Sequence, residues 1–114
     1  MSEHKRLSDR LTVRPQIQTD EIAGIAAAGF KGIINNRPDK EEPDQPSSSD
    51  LKAEAERHGL NYWHIPVVPG QANGTHVEAF AEALNHSDGP VMAFCKTGNR
   101  AAGLWEASQR KNED

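Results

Sequence analysis

Short apolar runs alternate with longer stretches of helical spacing along this chain, and polar turns separate them. In LTVRPQI (11–17), Leu11, Val13 and Ile17 predict a short strand that stops near Pro15. FKGIIN (30–35), LNYWHIPV (60–67) and PVMAF (90–94) predict three more strands. The last of these is wholly apolar, as expected for a strand covered on both faces. Between them, EIAGIAAAG places Ile22, Ile25 and Ala26 at helical spacing, with Thr19 or Asp20 able to cap it and Gly29 able to end it. Ser49 or Asp50 can cap LKAEAERHG, which runs to Gly59. Thr75 is placed to cap HVEAFAEALNH, where Val77, Phe80, Ala81 and Leu84 share a face. RAAGLWEASQRK supplies a last helix. Residues 1–10 are polar and read as a flexible N-terminus ahead of a single domain over 11–111.

The order β-α-β-α-β-α-β-α predicts an α/β fold: a three-layer sandwich with a mostly parallel sheet of four to five strands, flanked by helices. Ligands of such sheets gather at the carboxyl ends of strands. Cys95 follows the fourth predicted strand, and Asn36, Arg37 and Asp39 follow the second. The Pro-rich stretch NRPDKEEPDQPSSSD (36–50) is a polar loop long enough to serve as a lid.

Composition narrows the function classes. The 114 residues suffice for one compact domain, and the formal net charge of -4 with no basic run argues against nucleic acid as a partner. No apolar run approaches membrane-spanning length, so membrane insertion is not expected. The N-terminal residues lack the apolar core of an export signal, and a single cysteine cannot form an internal disulfide. A reducing cytoplasmic location is therefore expected. The histidines (4, 58, 64, 76 and 86) show no ligand spacing joined to the cysteine, so no metal and no cofactor is expected.

The chemistry is concentrated in AFCKTGNRAAG (93–103). Here a strand ends, a tight loop turns, and a helix begins near Asn99. The first amides of that helix lack intrahelical acceptors, and its dipole adds partial positive charge at the same place. Gly98 lets the loop bend so that successive N–H groups converge as a nest. Arg100 contributes a planar fork suited to an oxyanion. A cysteine in such a cradle is expected to be a thiolate nucleophile with a lowered pKa. Against this stands core filling, the ordinary role of a lone cysteine after an apolar strand. Arg37 either extends the positive rim or pairs with Asp39 or Glu41; Lys96 tunes the sulfur or faces water; Asn99 orients the loop or caps the helix. Trp63 and Trp105 read as core or rim aromatics.

LTVRPQI, GFKGIINNRPD, GLNYWHIPV and GPVMAFCKTGNRAAGLW together resemble the bacterial beta-lactamase-hydrolase-like phosphatase-like domain, over roughly residues 7–107. That family is also described as one of sulfurtransferases. The resemblance implies a cysteine-phosphatase-like fold of the dual-specificity type. Relatives usually carry more helical sequence, so either a short last helix or a domain truncated at its C-terminus is expected. In these terms Cys95 and Arg100 are the expected catalytic residues, and Lys96, Thr97, Gly98, Asn99 and Arg100 the anion-binding loop. Arg37 and Asp39 are candidates for supporting roles.

Two features set the expected reaction. Protein tyrosine phosphatases carry Cys-x5-Arg, whereas this chain has Cys-x4-Arg, the loop length that resembles rhodanese. The stretch 65–74, where such phosphatases carry an aspartic acid, holds no Asp or Glu. Asp39 could substitute if its loop folds over the site. The expected activity is thus sulfur transfer through a Cys95 persulfide, from a small anionic donor such as thiosulfate to a thiol acceptor such as glutathione. The resemblance further implies a sulfide- or persulfide-oxidising enzyme as a partner. The alternatives are a cysteine phosphatase working through phosphocysteine and a non-catalytic anion-binding module.

Overall fold

The computed structural model describes residues 4–112. Its five-stranded sheet consists of β1 (Lys5–Ser8), β2 (Leu11–Arg14), β3 (Gly32–Asn35), β4 (Asn61–His64) and β5 (Val91–Phe94). The helices are α1 (Ile22–Ala27), α2 (Ser48–Arg57), α3 (Gly74–His86) and α4 (Asn99–Asn112). Strand order is β1-β2-β5-β3-β4, with β1 antiparallel to β2 and every other pair parallel.

Alternation along the strands sorts side chains into two cores. From β5, Val91 and Ala93 join Leu11, Val13 and Ile34 beneath α3 and α4, where Phe80, Ala83, Ala101 and Leu104 complete the cluster. Met92 and Phe94 face the other way, with Ile33, against Ile22 and Ile25 of α1 and Leu51 and Ala55 of α2. The expected three-layer α/β sandwich is therefore present. Phe80 and Phe94 are fully buried on opposite faces, each contributing roughly 1.5–3 kcal/mol of transfer free energy. Trp63 packs at the edge of the first core, in the space that Gly32 leaves: a Cβ on Gly32 would lie 2.8 Å from its ring.

The predicted strands and helices all form, with shifted ends. The expectation of a flexible stretch over 1–10 is corrected for residues 5–8, which pair with β2 as an edge strand with a register shift between Arg6 and Ser8. Its sequence, KRLS, lacks apolar alternation because both its faces are largely open, and a charged edge discourages pairing with other chains. Residues 1–3 lie outside the described residues. The helix predicted from Glu21 begins instead as a single 3-10 turn over Thr19–Glu21, and its preceding residue, Gln18, donates its N–H to Glu21 Oε1 at 2.8 Å. Ser47, not Ser49 or Asp50, caps α2 by accepting the Asp50 N–H at 3.1 Å. Asn73, not Thr75, caps α3: it accepts from His76 N–H and donates its own N–H to His76 Nδ1. That is a capping box with a histidine ring in the place usually held by a glutamate.

The topology decides where a ligand could reach the backbone. The chain leaves β2, crosses through α1 on one face, and lays β3 and β4 beyond the position that β5 later fills. It then returns through α3 on the opposite face to insert β5 between β2 and β3. The carboxyl end of β5 is thus a point where the strand order reverses, and Cys95 is the next residue.

Candidate active site

Cys95 is fully buried and unpaired by any disulfide, yet it is not merely packed. Its Sγ accepts the Gly98 N–H at 3.0 Å, so the loop backbone folds back onto the sulfur. Gly98 reaches this arrangement with φ of 95°, a left-handed conformation that favours glycine. A Cβ there would also press on the Arg14 backbone carbonyl carbon at 3.3 Å. Thr97 Oγ1 accepts the Asn99 N–H at 3.2 Å, which seats the start of α4. Gln16 N–H to Lys96 carbonyl, at 3.4 Å, ties the loop to the segment after β2.

The Arg100 guanidinium, from the first turn of α4, reaches the segment after β3 and the chain after β4. Nη1 donates to the Val67 carbonyl at 2.9 Å and to Glu41 Oε2 at 2.8 Å, while Nη2 donates to Glu41 Oε1 at 3.0 Å. Glu41 Oε1 also accepts from Arg37 Nε at 2.8 Å. Arg37, whose side chain is 2% exposed, spends its other donors on Gln16 Oε1 at 2.8 Å and Glu42 Oε1 at 2.6 Å. Lys96 Nζ lies 3.5 Å from Glu42 Oε2. The loop's cations are therefore met by a carboxylate pair from the Pro-rich segment after β3.

Electrostatics follow from that pairing. The hydrogen bond from Arg100 holds the Glu41 carboxyl below the usual carboxylate range, with Arg37 adding to it over the opposing effect of burial. Glu42 is likewise lowered, chiefly by its hydrogen bond from Arg37 and the charge of Lys96. Arg100 is raised above its ordinary value, first by the Glu41 hydrogen bond, over the opposing effect of burial. For Arg37, burial disfavours the cation, but the bonds to Glu42 and Glu41 outweigh it and the net shift is upward.

The structure brings together Cys95, Lys96, Thr97, Gly98, Asn99, Arg100 and Arg37. It does not bring Asp39. That carboxylate accepts the Ser48 N–H at 2.8 Å, at the start of α2, so the expectation that Asp39 supports the cysteine is corrected. The loop after β3 folds back over nine residues, so that Asp39 meets an amide at the start of α2 that lacks an intrahelical acceptor. Of the readings for Arg37, pairing with Glu41 is the one realised, extended to Glu42 and Gln16. Glu42 and Gln16 were missed. Consecutive glutamates four and five residues after Arg37 were a legible signal for the ion pairs; nothing in the sequence indicated Gln16. His64 lies in β4, with Nε2 2.9 Å from the Arg37 carbonyl oxygen, a backbone contact rather than the sulfur.

A polar cavity of about 280 Å³ borders the loop, lined by Gln16, Gln18, Arg37, Glu42, Gln45 and Lys96 among others. A larger one, about 490 Å³, is lined by Arg6, Thr12, Ile25, Phe30 and Met92 among others and shares no residue with the Cys95–Arg100 loop. Among the described residues no cluster of metal-ligating side chains occurs, and no helix is long and apolar enough to cross a membrane.

The sequence and the fold have counterparts. The family model described as the beta-lactamase hydrolase-like protein, phosphatase-like domain, matches residues 3–112. Two proteins named beta-lactamase hydrolase-like protein are similar: one from Xylella fastidiosa, 38% identical over 103 residues, and one from Agrobacterium fabrum, 39% identical over 100 residues. These matches cover 90% and 88% of this chain but 24% and 23% of the relatives, so the chain spans about a quarter of their length. A crystal structure from Neisseria meningitidis, of a protein described as a candidate phosphatase, is 36% identical with a TM-score of 0.81, covering 88% of this chain and 71% of its own. TpbA from P. aeruginosa, solved as its C132S form in complex with pTyr, is 16% identical with a TM-score of 0.62, covering 84% of this chain and 54% of its own; it shares the fold.

Proposed function

The chain belongs to the phosphatase-like domain family of the beta-lactamase hydrolase-like proteins, and from that premise we propose that Cys95 is the nucleophile of a sulfur-transfer reaction. One observation carries the choice of reaction. The carboxyls that reach the loop's cations, Glu41 and Glu42, are held ionised by arginine, and Asp39 is committed to α2. None of them is suited to protonate an alkoxide leaving group, a step worth about 10²–10⁴-fold to an enzyme that needs it. Sulfur transfer has no such need.

In this reading the Cys95 thiolate attacks the outer sulfur of thiosulfate. A new S–S bond forms, the donor's S–S bond breaks, and sulfite leaves with the electron pair. An acceptor thiolate then attacks the outer sulfur of the Cys95 persulfide, and Cys95 leaves as thiolate. No proton, oxidant or cofactor enters the balance. The amides of residues 96–100 and the Arg100 fork hold the anionic donor. The polar cavity beside Lys96 suits an acceptor thiol bearing amides and carboxylates, as glutathione does. A persulfide-oxidising enzyme is the class of partner that would consume the product.

Phosphate-monoester hydrolysis through a phosphocysteine is the second reading, and the comparisons favour it over the first: the family description and the solved relatives are phosphatase-like. Incubation with thiosulfate or glutathione persulfide, followed by intact mass, separates the two. Gain of one sulfur by the wild type and not by Cys95→Ser supports transfer. Phosphate release from an aryl phosphate, lost in Cys95→Ser, supports hydrolysis and overturns our choice. Neither signal reduces the loop to an anion-binding module.

A further inference from the structure

We infer that Glu41 is an internal stand-in for the anionic ligand, so that a tetrahedral oxyanion enters the Cys95 loop only by displacing this side chain from Arg100. The inference rests on the loop being an anion site, which sulfur transfer and phosphate hydrolysis share, and not on the choice between them.

Several features converge on it. Both Glu41 oxygens face the Arg100 fork, at 2.8 and 3.0 Å, the side-by-side geometry with which a guanidinium grips an oxyanion. Arg100 also donates to the Val67 carbonyl at 2.9 Å, so its fork is occupied. Arg37 is taken up as well, by Glu41, Glu42 and Gln16. Cys95 itself is fully buried, which leaves no open approach to the sulfur in this arrangement.

The segment carrying Glu41 is built to let go at that point. Its ends are fastened: Asp39 accepts the Ser48 N–H at 2.8 Å, and Gln45 Nε2 donates to the Pro38 carbonyl at 2.8 Å. Between these ties, Lys40 adopts φ of 66°, a conformation strained for a residue with a Cβ, and aims the next residue at Arg100. The Glu41 side chain remains 22% exposed, so on release it regains water at once. With Glu41 in place, a phosphate or thiosulfate dianion would meet paired cations. With it displaced, the same anion could take up donors of both Arg37 and Arg100. A chloride ion or a simple carboxylate offers fewer oxygens for that exchange, so the gate discriminates in favour of tetrahedral oxyanions.

Calorimetric titration of the protein with inorganic phosphate and with thiosulfate tests this. If the competent state is a minor one, its scarcity weakens the apparent affinity, and Glu41→Gln should tighten both anions by about tenfold. Glu42→Gln removes the same charge from the same segment but does not touch Arg100; it should gain less than about threefold. Unchanged or weaker binding in Glu41→Gln would mean that Glu41 merely positions Arg100, and equal gains in both variants would mean a general charge effect; either outcome overturns the inference. Arg100→Met in the Glu41→Gln background separates the two levels of failure. Anion binding that survives it, or no binding by any variant, refutes the anion site itself. If Glu41→Gln does not fold, Glu41→Ala serves in the same titration.

Discussion

The Cys95–Arg100 loop and the segment from Arg37 to Ser48 meet where Arg100 and Lys96 face Glu41 and Glu42, yet they are held in different ways. The loop is held by its backbone. Gly98 turns with positive φ and sends its N–H to Cys95 Sγ, three residues earlier, and the Arg14 backbone packs against the turn. The segment after β3 is held by charges between distant residues, with Glu41 and Arg100 being 59 residues apart. Backbone geometry gives a cradle, while ion pairs between buried or partly buried arginines and more exposed glutamates give a cover that responds to pH and, at its exposed side, to salt. A cradle set by backbone geometry beneath a cover set by charge pairs is the division of labour between the two regions.

The largest effect is expected from Cys95→Ser, which removes the proposed nucleophile and leaves the cover. Sulfur loading measured by intact mass in a single turnover should fall by at least about 10³-fold. Next comes Arg100→Lys, which keeps the charge but loses the fork. It should lower kcat/KM about 10²-fold with thiosulfate, and the accompanying loss of the Glu41 contact should appear as faster amide exchange over residues 38–47. Gly98→Ala attacks the backbone side of the comparison alone. The strained φ and the close Arg14 carbonyl should cost about 1–3 kcal/mol in urea unfolding, with the Glu41 contacts as a control.

Acid attacks the charged side alone. Glu41 and Glu42 titrate below the usual carboxylate range in the folded protein, so their contribution is fully present above the unfolded-state value and is lost as pH falls through the folded one. Amide protection over 38–47 should therefore persist near neutrality and fade only on strong acidification, before the sheet unfolds. The smallest effect is expected from Asp39→Asn. It weakens the carboxylate's bond to the Ser48 N–H and should cost no more than about 1 kcal/mol in thermal unfolding. It should leave sulfur transfer unchanged; a drop of 10²-fold would reinstate Asp39 as an acid.

Much of the architecture was legible because burial on both faces of a strand, or on one face of a helix, writes a periodic pattern. FKGIIN and PVMAF became the two innermost of the aligned strands, and the helix over Val77, Phe80 and Leu84 lies where its spacing put it. The edge strand KRLS was not legible, since an exposed edge strand needs no apolar pattern. Helix starts slipped because Ser47, Ser49 and Asp50 can all cap, and only packing selects among them. The cysteine loop was readable from Cys-x-x-Gly-x-Arg, since each residue type there serves a backbone or charge requirement within six positions.

The sequence by itself thus determined the α/β alternation and the cysteine loop after the last strand, with its glycine and arginine, because each depends on neighbours along the chain. Tertiary structure alone decided that β5 is inserted between β2 and β3, that Asp39 serves a helix end instead of the sulfur, and that Glu41 bridges Arg37 and Arg100. Those outcomes depend on distances between remote residues, and Coulomb attraction and hydrogen bonding select partners only after the sheet has brought the strand ends together.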